Sequence, residues 1–409
     1  MKRTVFFISA LVFVSAAFCQ DADGTLFEFK YKKDDSSRIL STVDEAVFVN
    51  GALNHRAQIL NRIFCKVTDV LDDGSAAHEA SFMTSETSVS GRGGSFSWGQ
   101  EYDSAFVRTR TGKYTIEDIY FMPTVRDVPV FPEYPVKKGG KWSAEGHEVH
   151  DLRMAFNIQK PFRVPFTAQY EYVDDETDEN TGRTLNLIEV TYSMYFESPR
   201  PSSITRDILN APAVTMGHSS QKIWWDNQKG MIDHYSEEFK IIIETFYGDQ
   251  ITFSGTAHAE VTEFKRVSTE ENLRKISESV SNLGYGNIGV VQGEKGVTIS
   301  IENIQFEPDS AVLMESEKVK LEKIAEILKT FDNDLLITGH CADRGTKQNQ
   351  LRISEDRAVS VAEYLSLLNV RNPNCIFTEG KGASVPVAPN TTEQGRAKNR
   401  RVEITIMDE

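Results

Sequence analysis

Residues 335–358 read LLITGHCADRGTKQNQLRISEDRA, and the rest of the chain is organised around them. Leu335-Leu336-Ile337-Thr338 is a short apolar run of the kind that forms a buried strand, and Gly339 ends it where the backbone must turn or approach a neighbour closely. After a polar loop, Ser354 is predicted to open a helix with Glu355 and Asp356 in its first turn. A serine cap satisfies orphan amide donors, and acids suit the positive end of the helix dipole. Arg357 lies on that same turn, beside the strand end. Open α/β sheets place ligands where a strand's carboxyl end meets a helix's amino end. An arginine there presents a planar fork suited to a carboxylate.

The flanking segments complete a small α+β unit. Leu273, Ile276, Val280 and Leu283 share one face of a helix predicted over Thr269–Leu283. A hairpin turns at Gly293-Glu294-Lys295-Gly296 into an entry strand, Val297–Gln305. Leu321, Ile324, Ile327, Leu328 and Phe331 form the stripe of one amphipathic helix, and Ala358, Val361, Ala362 and Leu365 that of another. In the last strand Val402, Ile404 and Ile406 face inward, with Arg401, Glu403 and Thr405 opposite.

These residues resemble the C-terminal domain shared by OmpA, the peptidoglycan-associated lipoprotein and the flagellar-motor protein MotB. Its pattern is Gly-His-Thr-Asp-x-x-Gly-x4-Asn-x-x-Leu-Ser-x-x-Arg-Ala. Gly339, His340, Gly345, Ser354, Arg357 and Ala358 match it without insertion or deletion, and Ile353 replaces leucine. Phe306, Ser310, Ala311 and Leu313, Gly380-Lys381-Gly382 and Lys398-Asn399-Arg400-Arg401-Val402-Glu403-Ile404 match the family's other motifs. The resemblance covers residues 289–409 and implies a βαβαβ(β) domain that binds peptidoglycan. In the family the aspartate and the arginine of this pattern grip the amino and carboxylate groups of diaminopimelate. Carried over, the arginine is Arg357 and the aspartate position is Ala342, which cannot pair with an ammonium. Cys341 stands for threonine and Gln350 for asparagine. Asp343 comes one residue late: in a strand it would face the other way, and in a loop it would reach the ligand. Gly339, His340, Ala342, Asp343, Gln350, Arg357 and Arg401 are therefore the candidate ligand-binding residues. The bland alternative for Arg357 is an ion pair with a local acid such as Asp343.

Residues 20–265 follow mostly a period of two, broken by turn signals at Asn50-Gly51, Asp73-Gly74, Thr181-Gly182 and Lys229-Gly230. Phe166–Tyr172 and Leu185–Phe196 read as a hairpin with an acidic tip. Ser220–Trp225, Met231–Phe246 and Ile251–Phe264 continue as strands. The expected architecture is an antiparallel β-rich region, a sandwich or a curved sheet, with Pro123–Pro135 marking a candidate subdivision near 123–140. Residues 266–288 read as a helical linker.

The chain has 409 residues, 40% hydrophobic and 26% charged, ample for two or three domains. Its net charge of −15 argues against nucleic acid as a partner. Lys2 and Arg3, the apolar run Val5–Val14 and the small residues Ser15, Ala16 and Ala17 read as a signal peptide over 1–19. Cleavage after Cys19 leaves Gln20 first. Lipidation of Cys19 is the alternative, disfavoured by Phe18 before it. No later segment has the length of a transmembrane helix. Cys65, Cys341 and Cys375 then form no disulfide framework.

Other motifs fail on context. Gly284-Tyr-Gly286-Asn-Ile-Gly289 fits GxGxxG but follows a helix and precedes a strand, the reverse of a dinucleotide site. His147-Glu148-Val149-His150 has its histidines three apart in a strand-like stretch and reads as a solvated edge rather than a metal site. Asp174–Glu179 lacks the glycine and position-12 glutamate of a calcium loop. Trp224-Trp225 sends one indole to each sheet face, the inner into core, the outer a candidate sugar platform. Nothing here supports catalysis, a metal or a cofactor. The expected function is that of a non-enzymatic envelope or periplasmic protein linking a β-rich module to the wall. The alternative is a scaffold that has lost wall binding and docks an envelope protein partner.

Overall fold

A computed structural model describes residues 24–88, 96–97, 99–177, 182–200, 209–263, 266–307 and 310–408. The predicted signal peptide, with Cys19, lies outside the described residues. The fold is α+β: a large antiparallel β region followed by a mixed sheet with helices.

The β region contains β1 (Ser36–Val49), β2 (Ala52–Val70), β3 (Ala76–Ser88), β5 (Gln100–Arg108), β6 (Tyr114–Ile116), β7 (Val125–Arg126) and β8 (Lys141–His150). It continues with β9 (Phe162–Thr177), β10 (Thr184–Glu197), β11 (Pro212–Asp226), β12 (Met231–Thr245) and β13 (Gln250–Glu263). β4 (Phe96–Ser97) leaves it for the C-terminal sheet. The remaining strands form one sheet in the order β6-β5-β3-β2-β1-β13-β12-β11-β10-β9-β8-β7. Alternation explains each long strand. In β9 Val164, Phe166, Ala168, Tyr170 and Tyr172 are buried, whereas Arg163, Thr167 and Gln169 are exposed.

Of the two expected arrangements, the curved sheet is the one that forms, and it curls into a nearly closed barrel. The passage Pro123–Pro135 does not divide the region, as the sequence suggested; it closes the seam between the two edge strands. Tyr114 N donates to Asp127 Oδ1 at 2.7 Å, and buried Arg126 donates to Tyr120 O at 2.7 Å and Pro123 O at 3.2 Å. Phe27, Phe29 and Phe131 fill one end of the barrel. Trp225 is fully buried there, edge-on to Phe29 at 4.8 Å and to Phe131 at 4.7 Å. Trp224 lies on the outer face, donates to Glu176 Oε2 at 2.6 Å and stacks on His234 at 4.3 Å, so one side of the expected sugar platform is already covered. The outward positions of β12 and β13 include Glu238, Lys240, His258 and Glu260, all exposed, unlike the apolar band of a lipid-spanning barrel. Among the described residues no helix is long and apolar enough to cross a membrane.

The second sheet contains β14 (Ile288–Gly293), β15 (Gly296–Glu302), β16 (Leu335–Gly339), β17 (Ile376–Gly380) and β18 (Arg401–Met407) in the order β14-β15-β18-β16-β17-β4. β16, β17 and β4 run parallel and the rest antiparallel. Four helices belong to it: α1 (Glu270–Asn282), α2 (Glu315–Leu328), α3 (Lys347–Leu367) and α4 (Glu393–Asn399). Ile299, Ile301, Leu335, Ile337, Val402 and Ile404 meet Leu321, Ile324, Val361 and Leu365 in one core. α1 is more than the expected linker, because Ile276 and Val280 are buried in that same core. The other face of the sheet docks on the outside of the barrel, where Leu336, Phe377 and Met407 pack against Leu60 and Met83.

Candidate functional site

The sequence-predicted site lies where β16, β17 and α3 converge. Two glycines make the convergence close. A Cβ on Gly339 would stand 2.0 Å from Ser354 O, and one on Gly380 2.7 Å from Glu355 N. Ser354 is therefore not a helix cap. It sits inside α3, fully buried, accepting from Gly382 N at 2.9 Å and donating to Leu351 O at 2.8 Å. The helix starts earlier, at Lys347, because Thr346 is an equally good cap; its hydroxyl accepts from Asn349 N at 3.3 Å. Glu355, Asp356 and Arg357 thus lie in the helix body, not in its first turn.

Arg357 is half-buried, with its guanidinium 4.8 Å from the Phe306 ring centre. Its Nε is buried without a hydrogen-bond partner, and among the described residues no carboxylate pairs with it. Burial lowers its pKa below the usual arginine value, and the nearby Arg400 charge pushes the same way. The ion pair with Asp343 does not form. Asp343 is exposed: its Oδ1 accepts from Gln350 Nε2 at 3.0 Å, and its backbone N–H reaches Asn390 Oδ1 at 3.2 Å. Gln350 Nε2 also donates to Gly345 O at 3.4 Å, so it braces the loop from beneath. Ala342 is buried. Cys341 is buried beside Arg357; burial raises its thiol pKa, and the arginine's charge acts against that rise.

His340 and Arg401 belong to a second polar knot behind the loop. Glu403 Oε1 accepts from Arg401 Nε at 2.7 Å, and His340 Nε2 stands 3.3 Å from Glu403 Oε2. That second contact lacks hydrogen-bond geometry, which leaves both His340 ring nitrogens buried and unbonded. Burial alone would raise the Glu403 pKa; His340 and Arg401 outweigh it and hold the carboxyl at about 2. Arg401 is 3% exposed and its Nη1 donates to Val385 O at 3.2 Å, away from the loop surface.

Two residues of the site were not assigned a role by sequence reasoning. Phe306 supplies the aromatic floor under Arg357. Asn399, 1% exposed, accepts from Val387 N and Ala388 N and donates to Asn390 Oδ1 at 2.9 Å, thereby positioning the group that holds Asp343. Both stand in matched motifs, but a motif gives a position and not a contact. The parallel pairing of β16 with β17 puts Cys341 and Cys375 at opposite strand ends, out of reach of each other. Among the described residues no three His, Cys, Asp or Glu side chains converge as metal ligands do.

The OmpA family profile matches residues 305–400, the segment that builds this site. The peptidoglycan-associated lipoprotein of Pseudomonas putida is 35% identical over 127 residues, 30% of this chain and 76% of that protein. The chain belongs to the OmpA family. Outer membrane protein A of Bordetella avium is 39% identical over 103 residues, 25% of this chain and 53% of that one. The peptidoglycan-binding protein ArfA of Mycobacterium tuberculosis is 38% identical over 104 residues, 25% of this chain and 32% of that one. The chain thus spans about half the length of the Bordetella relative, and these matches rest on the OmpA-like domain.

Proposed function

We propose that the chain is a non-enzymatic cell-envelope protein whose OmpA-like domain binds the stem peptide of peptidoglycan through Arg357. The observation that carries this reading is the state of Arg357. A guanidinium held by an aromatic ring and unmatched by any described carboxylate is a costly arrangement unless an anion completes it. The carboxylate of a wall peptide is such an anion, and relatives named for peptidoglycan support the choice. Gly339, Gln350 and Asp343 shape the loop over the guanidinium, and His340 with Arg401 brace it from behind. Export by the predicted signal peptide would place the protein in the periplasm, with residues 20–265 carrying a separate module.

Ala342 favours a second reading, in which the domain has kept its fold and docks an envelope protein instead. With alanine at this position the ligand's ammonium has no acid to meet except Asp343. Sedimentation of the purified chain with intact sacculi separates the readings. Binding that Arg357→Ala abolishes supports the first, and wild-type chain remaining in the supernatant supports the second.

A further inference from the structure

The inside of the barrel is not uniformly filled. On β9 and β10 the inward Val164, Ala168, Val190 and Met194 are at most 4% exposed. On β1, β12 and β13 the inward register mixes buried Ser41, Val47, Ile243, Ala257 and Ala259 with Val43, Glu45, Tyr235, Glu237, Phe239, Ile241 and Phe253, which keep water-accessible surface. Side chains that point into a curled sheet and still meet water line a lumen. Its wall is largely apolar with a few convergent polar groups, the make-up of a small-molecule site. Barrels of modest size commonly hold one such ligand.

The polar groups form a connected chain across four strands. Glu148 Oε1 accepts from Tyr192 Oη at 2.8 Å, and Glu237 Oε1 accepts from Ser219 Oγ at 2.6 Å and Gln221 Nε2 at 3.2 Å. Tyr192 and Ser219 are direct partners on β10 and β11, so the two carboxylates flank one cross-strand pair. Glu148 is 4% exposed, and its Oε2 has no hydrogen-bond partner. His150 Nε2 lies 3.1 Å from that oxygen in a geometry that makes no hydrogen bond. Glu148 is thus no part of a solvated edge: β8 lies between β7 and β9, and the side chain points inward. Burial, reinforced by Glu148, raises the Glu237 carboxyl above its ordinary pKa. Among the paired strands the inward positions carry one arginine, Arg108, and it is stacked on Phe29 and Tyr114 at the filled end. Both the sign of the charge and the apolar wall select the ligand.

We propose that the lumen binds an amphipathic primary amine, its ammonium between Glu148 and Glu237 and its apolar body along Phe239, Ile241 and Phe253. The inference is independent of the wall-binding reading. Calorimetric titration of the full chain at pH 7 with dodecylamine, dodecanol and dodecanoate, each below its aggregation concentration, tests it. Dodecylamine is expected to bind one to one and at least about tenfold more tightly than the other two, a difference of roughly 1.4 kcal/mol or more. Glu237→Gln and Glu148→Gln should each weaken the amine about tenfold, the scale of one charged contact. Equal binding of all three, no binding of the amine, or full amine affinity in both variants overturns the proposal. If a variant fails to fold, photo-crosslinking of wild type with a diazirine-bearing dodecylamine decides. Adducts on Phe239–Ile241 or Phe253 support the site, and adducts confined to the outer face or the OmpA-like domain overturn it.

Discussion

Arg357 owes its position to spacing that can be read directly, and its environment to contacts that cannot. The strand end, the loop length and the arginine follow from the stretch 335–358, whereas the Phe306 floor joins residues separated by a helix and a strand. Arg357→Ala is expected to abolish sacculus binding. Ala342→Asp should strengthen it about tenfold to a hundredfold, since a charged hydrogen bond contributes roughly 1.5–3 kcal/mol; peptide titration measures both. Glu403 gives a pH signature. Its carboxyl falls from an ordinary 4.5 to about 2 in the folded protein, so the native state binds the proton less readily than the unfolded chain. Its stabilising contribution is complete above the ordinary value and is lost as pH falls toward about 2. Urea unfolding of wild type and Glu403→Gln should differ at pH 6 and converge near pH 2. Glu237 has the opposite sign: a raised carboxyl pKa destabilises the fold as pH rises through it. Glu237→Gln is therefore expected to melt higher than wild type at pH 7, with the advantage disappearing in acid, a gain that an anchoring role in the fold would not produce.

At the scale of elements, Gly339 fixes how closely α3 approaches the sheet. Its added Cβ would meet Ser354 O at 2.0 Å, a backbone atom that moves only with the helix. Gly339→Ala should cost about 1–3 kcal/mol or more in chemical denaturation, as overpacking does. The helix itself shows where sequence reading fails. Its amphipathic stripe places Ala358, Val361, Ala362 and Leu365 correctly in the core, but two cap residues, Thr346 and Ser354, compete for its start. The tertiary contact with Gly382 N, invisible locally, claims Ser354. α1 has the same limit. Its face was legible and its partner was not, since Ile276 and Val280 bury against strands that come later in the chain. A fragment starting near Arg266 should unfold cooperatively on heating. One starting at Gly289 should melt lower, having lost three buried side chains, Val267, Ile276 and Val280, worth roughly 1.5–3 kcal/mol each.

For the whole molecule, the β-rich region was legible as strands because inward and outward residues alternate, but not as a barrel, because closure depends on which edges meet. The seam runs through a proline-bearing passage whose extended residues resemble a linker in sequence. Nor did the sequence announce that the two parts share a buried contact. Asp334 Oδ2 stands 3.0 Å from Arg38 Nη2 on β1 and 3.1 Å from Arg62 Nη2 on β2, with the aspartate side chain 5% exposed. Arg62 also lies 4.9 Å over the Phe377 ring, so the same guanidinium joins the ionic and the apolar contact between barrel and OmpA-like domain. β4 adds a strand from the barrel side to the edge of the second sheet. Such an arrangement holds the OmpA-like sheet against β1 and β2 instead of leaving it on a flexible tether. Removing the aspartate takes a buried carboxylate away from both guanidiniums, and breaking a buried pair costs about 3–5 kcal/mol. Asp334→Ala is therefore expected to split the thermal unfolding into two transitions, with the OmpA-like domain keeping its own melting and its sacculus binding. Wild type should melt in a single transition. A single, unshifted transition in the variant would mean that the apolar patch of Leu336, Phe377 and Met407 alone couples the two parts, and the arginine pair would then have no part in holding them together.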